Sequence, residues 1–152
     1  MGPAMTRTRL TTGFVTALTA TLIVGCGTAE STPTDAARAP RSESLTPLFS
    51  EALPNVPGKT FTSAIVTFPP GARAVPHRHG DAFVYAYVLS GDVRSQLEGA
   101  AAQVYHQGQS WSEPPGAHHE TTENTSGTDE AKLLVVFVAT TGSPLKVEDP
   151  QP

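Results

Sequence analysis

From residue 60 onward, apolar and polar positions alternate with period two in short runs, each closed by glycine or proline. Period two is the mark of a half-buried strand, whose successive side chains point to opposite faces. Residues 61–68 (FTSAIVTF) alternate and stop at Pro69-Pro70-Gly71, a turn signal because proline presets φ and glycine accepts positive φ. Residues 75–79 are short and extended. Residues 83–89 (FVYAYVL) are rich in aromatic and β-branched side chains and end at Ser90-Gly91-Asp92, a hairpin-type turn. Three further short strands are expected over 93–97, 103–106 and 110–113, the last running into Pro114-Pro115-Gly116. Residues 119–123 follow, then a polar loop over 124–130. Residues 132–138 (KLLVVFV) are a nearly continuous apolar run, which reads as a strand buried between two sheets. No stretch carries a 3.6-residue period. Residues 50–56, bounded by Pro47 and Pro57 and holding Pro54, have room for one helical turn and no more. The pattern predicts an all-β, antiparallel sandwich or barrel without internal repeats.

Upstream the pattern changes. Arg7 and Arg9 precede a 16-residue uncharged stretch over 10–25 (LTTGFVTALTATLIVG), short for a membrane span and suited to the apolar region of a secretory signal. Initiation at Met1 and at Met5 are both compatible with it. Ile23-Val24-Gly25-Cys26 resembles the bacterial lipobox, and Cys26 is the only cysteine in the chain. The resemblance implies removal of residues 1–25, lipid on the Cys26 sulfur and amino group, and an extracytoplasmic, membrane-anchored protein of the bacterial cell envelope. Residues 26–47 hold one large aliphatic side chain, Leu45. They cannot bury enough apolar area to offset their ordering entropy and are expected to form a disordered tether. One folded domain is expected over 48–147, with a short tail over 148–152. Removal of Arg7 and Arg9 with the signal takes the formal charge from −4 to −6, which argues against a nucleic-acid partner. With a single cysteine no intramolecular disulfide can form.

The candidate chemistry lies in the histidines. All five fall between His77 and His119, four of them in Pro76-His77-Arg78-His79 and Pro115-Gly116-Ala117-His118-His119. Imidazole is the commonest protein ligand for transition metals. A His-x-His pair on a strand directs both rings to one face, and a third histidine from another strand would complete a three-nitrogen site with open positions. His118 points away from His119 and is expected at the surface, as is His106 beside its turn. Asp81, two residues after His79, is a candidate to reach back into the site. Glu113 reads either as an acid or base at a barrel mouth or as a solvated turn carboxylate. Trp111 reads either as packing, with Phe83, Tyr85 and Tyr87, or as part of a ligand pocket.

The two histidine segments resemble the two motifs of the cupins. The first motif runs glycine, five residues, His-x-His, three or four residues, Glu, six residues, glycine. Gly71, His77, His79 and Gly91 match it, and Val84 stands where the family usually has its carboxylate. The second runs glycine, five residues, Pro-x-Gly, two residues, His, three residues, Asn. Gly108, Pro114, Gly116 and His119 match in register, and Asn124 comes one residue late. The resemblance covers about 65–140. It implies a small single-domain cupin, an antiparallel jelly-roll β-barrel, in which His77, His79 and His119 hold a divalent metal ion (Fe, Mn, Ni, Cu or Zn). A small-molecule ligand would meet the open metal positions, with Trp111 and Glu113 as substrate-binding candidates. The function implied is a metal-dependent enzyme, of the oxygenase type or another small-molecule chemistry. The alternatives are a non-catalytic ligand- or metal-binding module at the cell surface and a metal-free structural cupin. The resemblance also allows a homodimer.

Overall fold

The computed structural model describes residues 42–150, which lie in one compact unit. The expected signal over 1–25, Cys26 and the tether up to residue 41 lie outside the described residues. The described residues form ten strands: β1 (Ser44–Ala52), β2 (Lys59–Phe68), β3 (His77–Arg78), β4 (Phe83–Ser90), β5 (Asp92–Leu97), β6 (Gln103–His106), β7 (Ser110–Glu113), β8 (His118–Asn124), β9 (Ala131–Thr140) and β10 (Val147–Glu148). They make two antiparallel five-stranded sheets, ordered β1-β2-β9-β4-β7 and β10-β3-β8-β5-β6. This is the all-β antiparallel arrangement that the alternation predicts and the jelly roll that the resemblance implies. Among the described residues no helix is long and apolar enough to cross a membrane.

The sheets face each other across a core that includes Phe68, Val84, Val88, Val93, Leu133, Val135 and Phe137. Each is an inward position of an alternating strand, so the core follows directly from the period-two pattern. The eight strands from β2 to β9 all begin and end within two residues of their expected bounds.

Three features depart from the sequence expectations. First, residues 44–47, expected in the tether, and 50–52, expected in a helical turn, belong to β1. All nine β1 residues are exposed. The strand is held by its ladder to β2, from Ser44↔Thr67 to Ala52↔Thr60, with an irregularity between Pro47 and Phe49. Backbone pairing, which a hydropathy pattern does not record, makes this edge strand, and Pro47 is tolerated because edge strands accept proline. Second, Val147 and Glu148 pair with Arg78 and His77 as β10, so the domain extends past 147. Third, β9 is the central strand of one sheet rather than a strand buried on both faces. Ala131, Leu133, Val135, Phe137 and Ala139 face the core, while Lys132, Leu134, Val136 and Val138 are half-buried on the outer face. That face is apolar because its cross-strand neighbours are: Phe61 and Phe83 flank Val138 from β2 and β4.

Asn124, one residue late in the motif, is brought back into place by a bulge. The β5–β8 register runs from Val93↔Asn124 to Gln96↔Thr121 and then shifts to Leu97↔His119, leaving Glu120 without a counterpart. Asn124 is therefore buried, and its Nδ2 donates to the carbonyls of Phe68, Pro69 and Asp129.

Gly91 closes the β4–β5 hairpin at φ 73°, and a Cβ there would lie 2.9 Å from Ala131 Cα and 3.0 Å from Glu130 O. Gly91→Ala combines left-handed strain with a clash against backbone, and is expected to cost about 2–4 kcal/mol. Gly99 has a similar φ of 76° with nothing within 4 Å of its Cβ, so Gly99→Ala should cost only about 1 kcal/mol. Urea unfolding of the two variants checks the difference.

Candidate metal centre

β3 and β8 are direct neighbours, with His77 opposite His119 and Arg78 opposite His118. Directly opposed residues of an antiparallel pair share a face, so His77 and His119 both point into the barrel. His79, two residues on, keeps the same face. The turn that delivers β8 is pinned to the loop that follows His79. Gly116 N–H donates to Gly80 O at 2.7 Å, and Arg78 Nη1 donates to Gly116 O at 3.0 Å. Gly116 adopts φ 82°, which its place after Pro114-Pro115 requires.

The three imidazoles are buried, and one ring nitrogen from each lies within 4.8 Å of the others. The ring centroids of His77 and His79 are 4.7 Å apart, and those of His77 and His119 are 5.2 Å apart. His77 Nδ1 is 2.6 Å from Val75 O, and His79 Nδ1 is 2.5 Å from Leu145 O. A carbonyl can only accept, so both rings carry their proton on Nδ1 and keep a lone pair on Nε2, the tautomer a metal ligand needs. His119 is held on both sides. Its Nε2 is 2.8 Å from the hydroxyls of Ser95 and Thr122, and its Nδ1 is 3.1 Å from Glu113 Oε1.

Burial lowers the His77 pKa from 6.5 to about 4; the Val75 carbonyl opposes this, while charge on His79 and His119 adds to it. Burial likewise lowers His79, against the opposing pull of the Leu145 carbonyl and the Glu113 carboxylate. Both rings are therefore neutral at physiological pH and free of proton competition for their lone pairs.

Glu113 is not a solvated turn residue. It is 3 % exposed. β7 carries Trp111 and Glu113 on one face, and Trp111 Nε1 donates to Glu113 Oε1 at 3.1 Å. Glu113 Oε2 lies 3.6 Å from His79 Nε2 and has no hydrogen-bond partner. Burial alone would raise its pKa, but the hydrogen bond with His119 and the nearby imidazoles hold it below the usual 4.5. A buried charged acceptor left unsatisfied costs about 1–3 kcal/mol or more.

The histidines and Glu113 form the polar pole of a cavity of about 150 Å³. The rest of the wall is largely apolar, from Val66, Phe68, Val84, Ala86, Leu133, Val135 and Phe137, with Trp111 beside His119. Glu43, Leu45, Leu145 and Lys146 also line it, and Lys146 Nζ pairs with Glu43 Oε1 at 2.5 Å. These four were missed in the sequence because residues 43 and 45 lie in the expected tether and 145–146 follow the last long strand. Only the ladders of β1 and β10 bring them to the cavity.

The other candidates take no part. Asp81 points outward, bonded to Lys59 Nζ at 2.7 Å and to Thr140. That Lys59 contact, followed by the Thr140 contact, lowers its pKa to about 2. His118 is on the opposite face from His119, as expected, but is half-buried, its Nε2 2.7 Å from Asp149 Oδ2. His106 is exposed and pairs with Asp92 at 2.9 Å. The donor set fits a divalent transition metal on the structure's own terms: buried imidazoles converge from two strands beside a carboxylate oxygen that lacks a partner.

Residues 64–137 match the family model for the cupin domain (Cupin_2). A comparison with curated proteins gives no match. Several solved structures share the fold. The cupin domain of Schizosaccharomyces pombe Cnp3 aligns with TM-score 0.54 at 18% identity over 65% of this chain and 62% of that one. A recombinant oxalate oxidase in complex with glycolate aligns with TM-score 0.56 at 24% identity over 73% and 57%. The DMSP lyase DddQ from Ruegeria pomeroyi aligns with TM-score 0.57 at 20% identity over 71% and 51%. The alignments thus span about half to three fifths of those chains.

Proposed function

We propose that this protein, whose fold is the cupin jelly roll, binds one divalent metal ion through His77, His79 and His119 and acts on a small, largely apolar organic molecule held in the cavity beside it. The convergence of three buried ring nitrogens within 4.8 Å on the wall of an apolar cavity carries the reading. A bound Fe, Mn, Ni, Cu or Zn ion would supply Lewis acidity and, where redox-active, oxygen chemistry. The protein supplies the rest. The carbonyls of Val75 and Leu145 orient two of the rings. Phe68, Val135 and Phe137 exclude water, and Trp111 forms a flat wall beside His119. A cavity of about 150 Å³ admits a small organic molecule rather than a drug-sized one. Oxalate oxidase and DMSP lyase, whose folds are similar, are enzymes named for small organic molecules, which supports an oxygenase-type or related small-molecule activity here.

Oxygen uptake and product analysis of the metal-loaded protein with panels of small organic acids, aldehydes and phenols test the enzyme reading. Turnover should vanish in His79→Ala. Binding of a ligand without chemical change would leave a binding module instead.

The reading includes export and anchoring through Cys26. Cys26→Ser is expected to move the protein from the membrane fraction to the soluble fraction and to abolish incorporation of labelled fatty acid. Equal membrane retention in the variant would dismiss the anchor.

A further inference from the structure

The first motif lacks its carboxylate, because Val84 stands in its place, yet the cavity does not lack one. In the β4–β7 pair Val84 is directly opposite Glu113. Opposed residues of an antiparallel pair share a face, with Cβ atoms about 5 Å apart, and both of these are buried toward the core. The carboxyl group of Glu113 thus starts one strand away from where the motif would place it and enters the same space. The next inward pair along the two strands is Ala86 opposite Trp111, a small residue that leaves room for the indole.

We infer that Glu113 is the anionic ligand of the metal site, its carboxylate transposed from β4 to β7 across the strand pair. This rests on the metal reading above and specifies the coordination sphere. Two of the distances are close to those between neighbouring ligands of one ion. Donors about 2.1 Å from one ion are about 3.0 Å apart in cis octahedral positions and about 3.4 Å apart in a tetrahedron. Glu113 Oε1 is 3.1 Å from His119 Nδ1, and Oε2 is 3.6 Å from His79 Nε2. His119 Nε2 is taken up by Ser95 and Thr122, so Nδ1 beside Glu113 is the nitrogen an ion would take, in place of the proton Nδ1 shares with the carboxylate in the metal-free site. Glu113 Oε2 is a buried oxygen without a hydrogen-bond partner, and an ion between it and the imidazoles would supply one. Three neutral imidazoles would leave a divalent ion at its full charge in a largely apolar cavity, whereas Glu113 reduces the net charge to +1.

The test uses the full-length chain purified in detergent, with Co(II) and Mn(II) as probes. It compares wild type, Glu113→Gln and the transposed double variant Val84→Glu/Glu113→Val. Affinity is measured by competition with a chelating dye, and the Co(II) d–d spectrum reports the ligand set. Glu113→Gln should bind Co(II) more than 100-fold more weakly, with a changed spectrum. The double variant should recover affinity to within tenfold of wild type. An unchanged Co(II) spectrum in Glu113→Gln would put the carboxylate outside the coordination sphere and overturn the inference, whatever the affinity. If Glu113→Gln does not fold, a folded double variant decides: recovered binding supports the transposition and no binding overturns it. Failure of the wild type itself to bind either ion would instead overturn the three-histidine reading on which this one stands.

Discussion

Adding a divalent ion to the metal-free protein at about 100 times its Kd is expected to raise the melting temperature by about 10 °C, and exchange of His77 and His119 for alanine to abolish the gain. A ligand that binds only the folded state stabilises it by about 2.7 kcal/mol at that ratio. For a domain of this size each kcal/mol moves the midpoint by about 4 °C or more. The effect should be selective for the folded chain, because the ligands come from β3, the residue just after it, and β8, which meet only through the ladder His77↔His119. The double variant removes two of three nitrogens while leaving Leu133, Val135 and Phe137 to hold the sheets together. It should remain folded and melt at one temperature with and without metal. Metal content on purification without chelator gives the same answer by another route: about one equivalent in wild type and almost none in the variant. An equal thermal shift in both proteins would mean that the ion binds elsewhere.

The second large effect is acid lability of the metal-free protein. The folded chain holds His77 neutral until about pH 4, whereas an unfolded histidine takes its proton near 6.5. Between these values the unfolded state binds more protons, so stability rises with pH across the window, is fully present above 6.5, and is lost as pH falls through about 4. The difference corresponds to about 3 kcal/mol for His77 alone. His79, lowered for the same reason of burial, adds in the same direction. Glu113, held below 4.5 by His119 and its neighbours, adds a further loss at still lower pH, where its carboxylate is protonated. Urea unfolding at pH 7.5, 6, 5 and 4 should show a monotonic fall concentrated below 6.5. In His77→Asn the slope should flatten. A wild-type stability that is level from pH 7 to 4.5 would contradict neutral, buried imidazoles. Saturating metal should sharpen the dependence, since protons and the ion compete for the same lone pairs.

The alternation of residues 61–138 determined most of the architecture by itself, because strand side chains alternate by geometry and each strand's inward set is apolar. His77, His79 and His119 were legible for the same reason: spacing within a strand puts two rings on one face, and the Pro-Pro-Gly turn marks where β8 begins. The glycine at 91 and the late Asn124 were also visible as sequence signals, although the bulge at Glu120 that reconciles Asn124 was not. What the sequence could not decide is everything that depends on which strands lie side by side. Glu113 reads more readily as a solvated turn residue until the β7–β4 pairing places it opposite Val84, 29 positions away in the chain. Asp81 looked close to the site by number and is turned outward by Lys59 and Thr140. The segment that becomes β1 and the chain end that becomes β10 carry no period-two apolar pattern. They are ordered by backbone ladders, and those ladders bring Glu43, Leu45 and Lys146 to the cavity. Local periodicity specifies which face a side chain takes, whereas the cross-strand register that assembles a site is a property of the folded sheet alone.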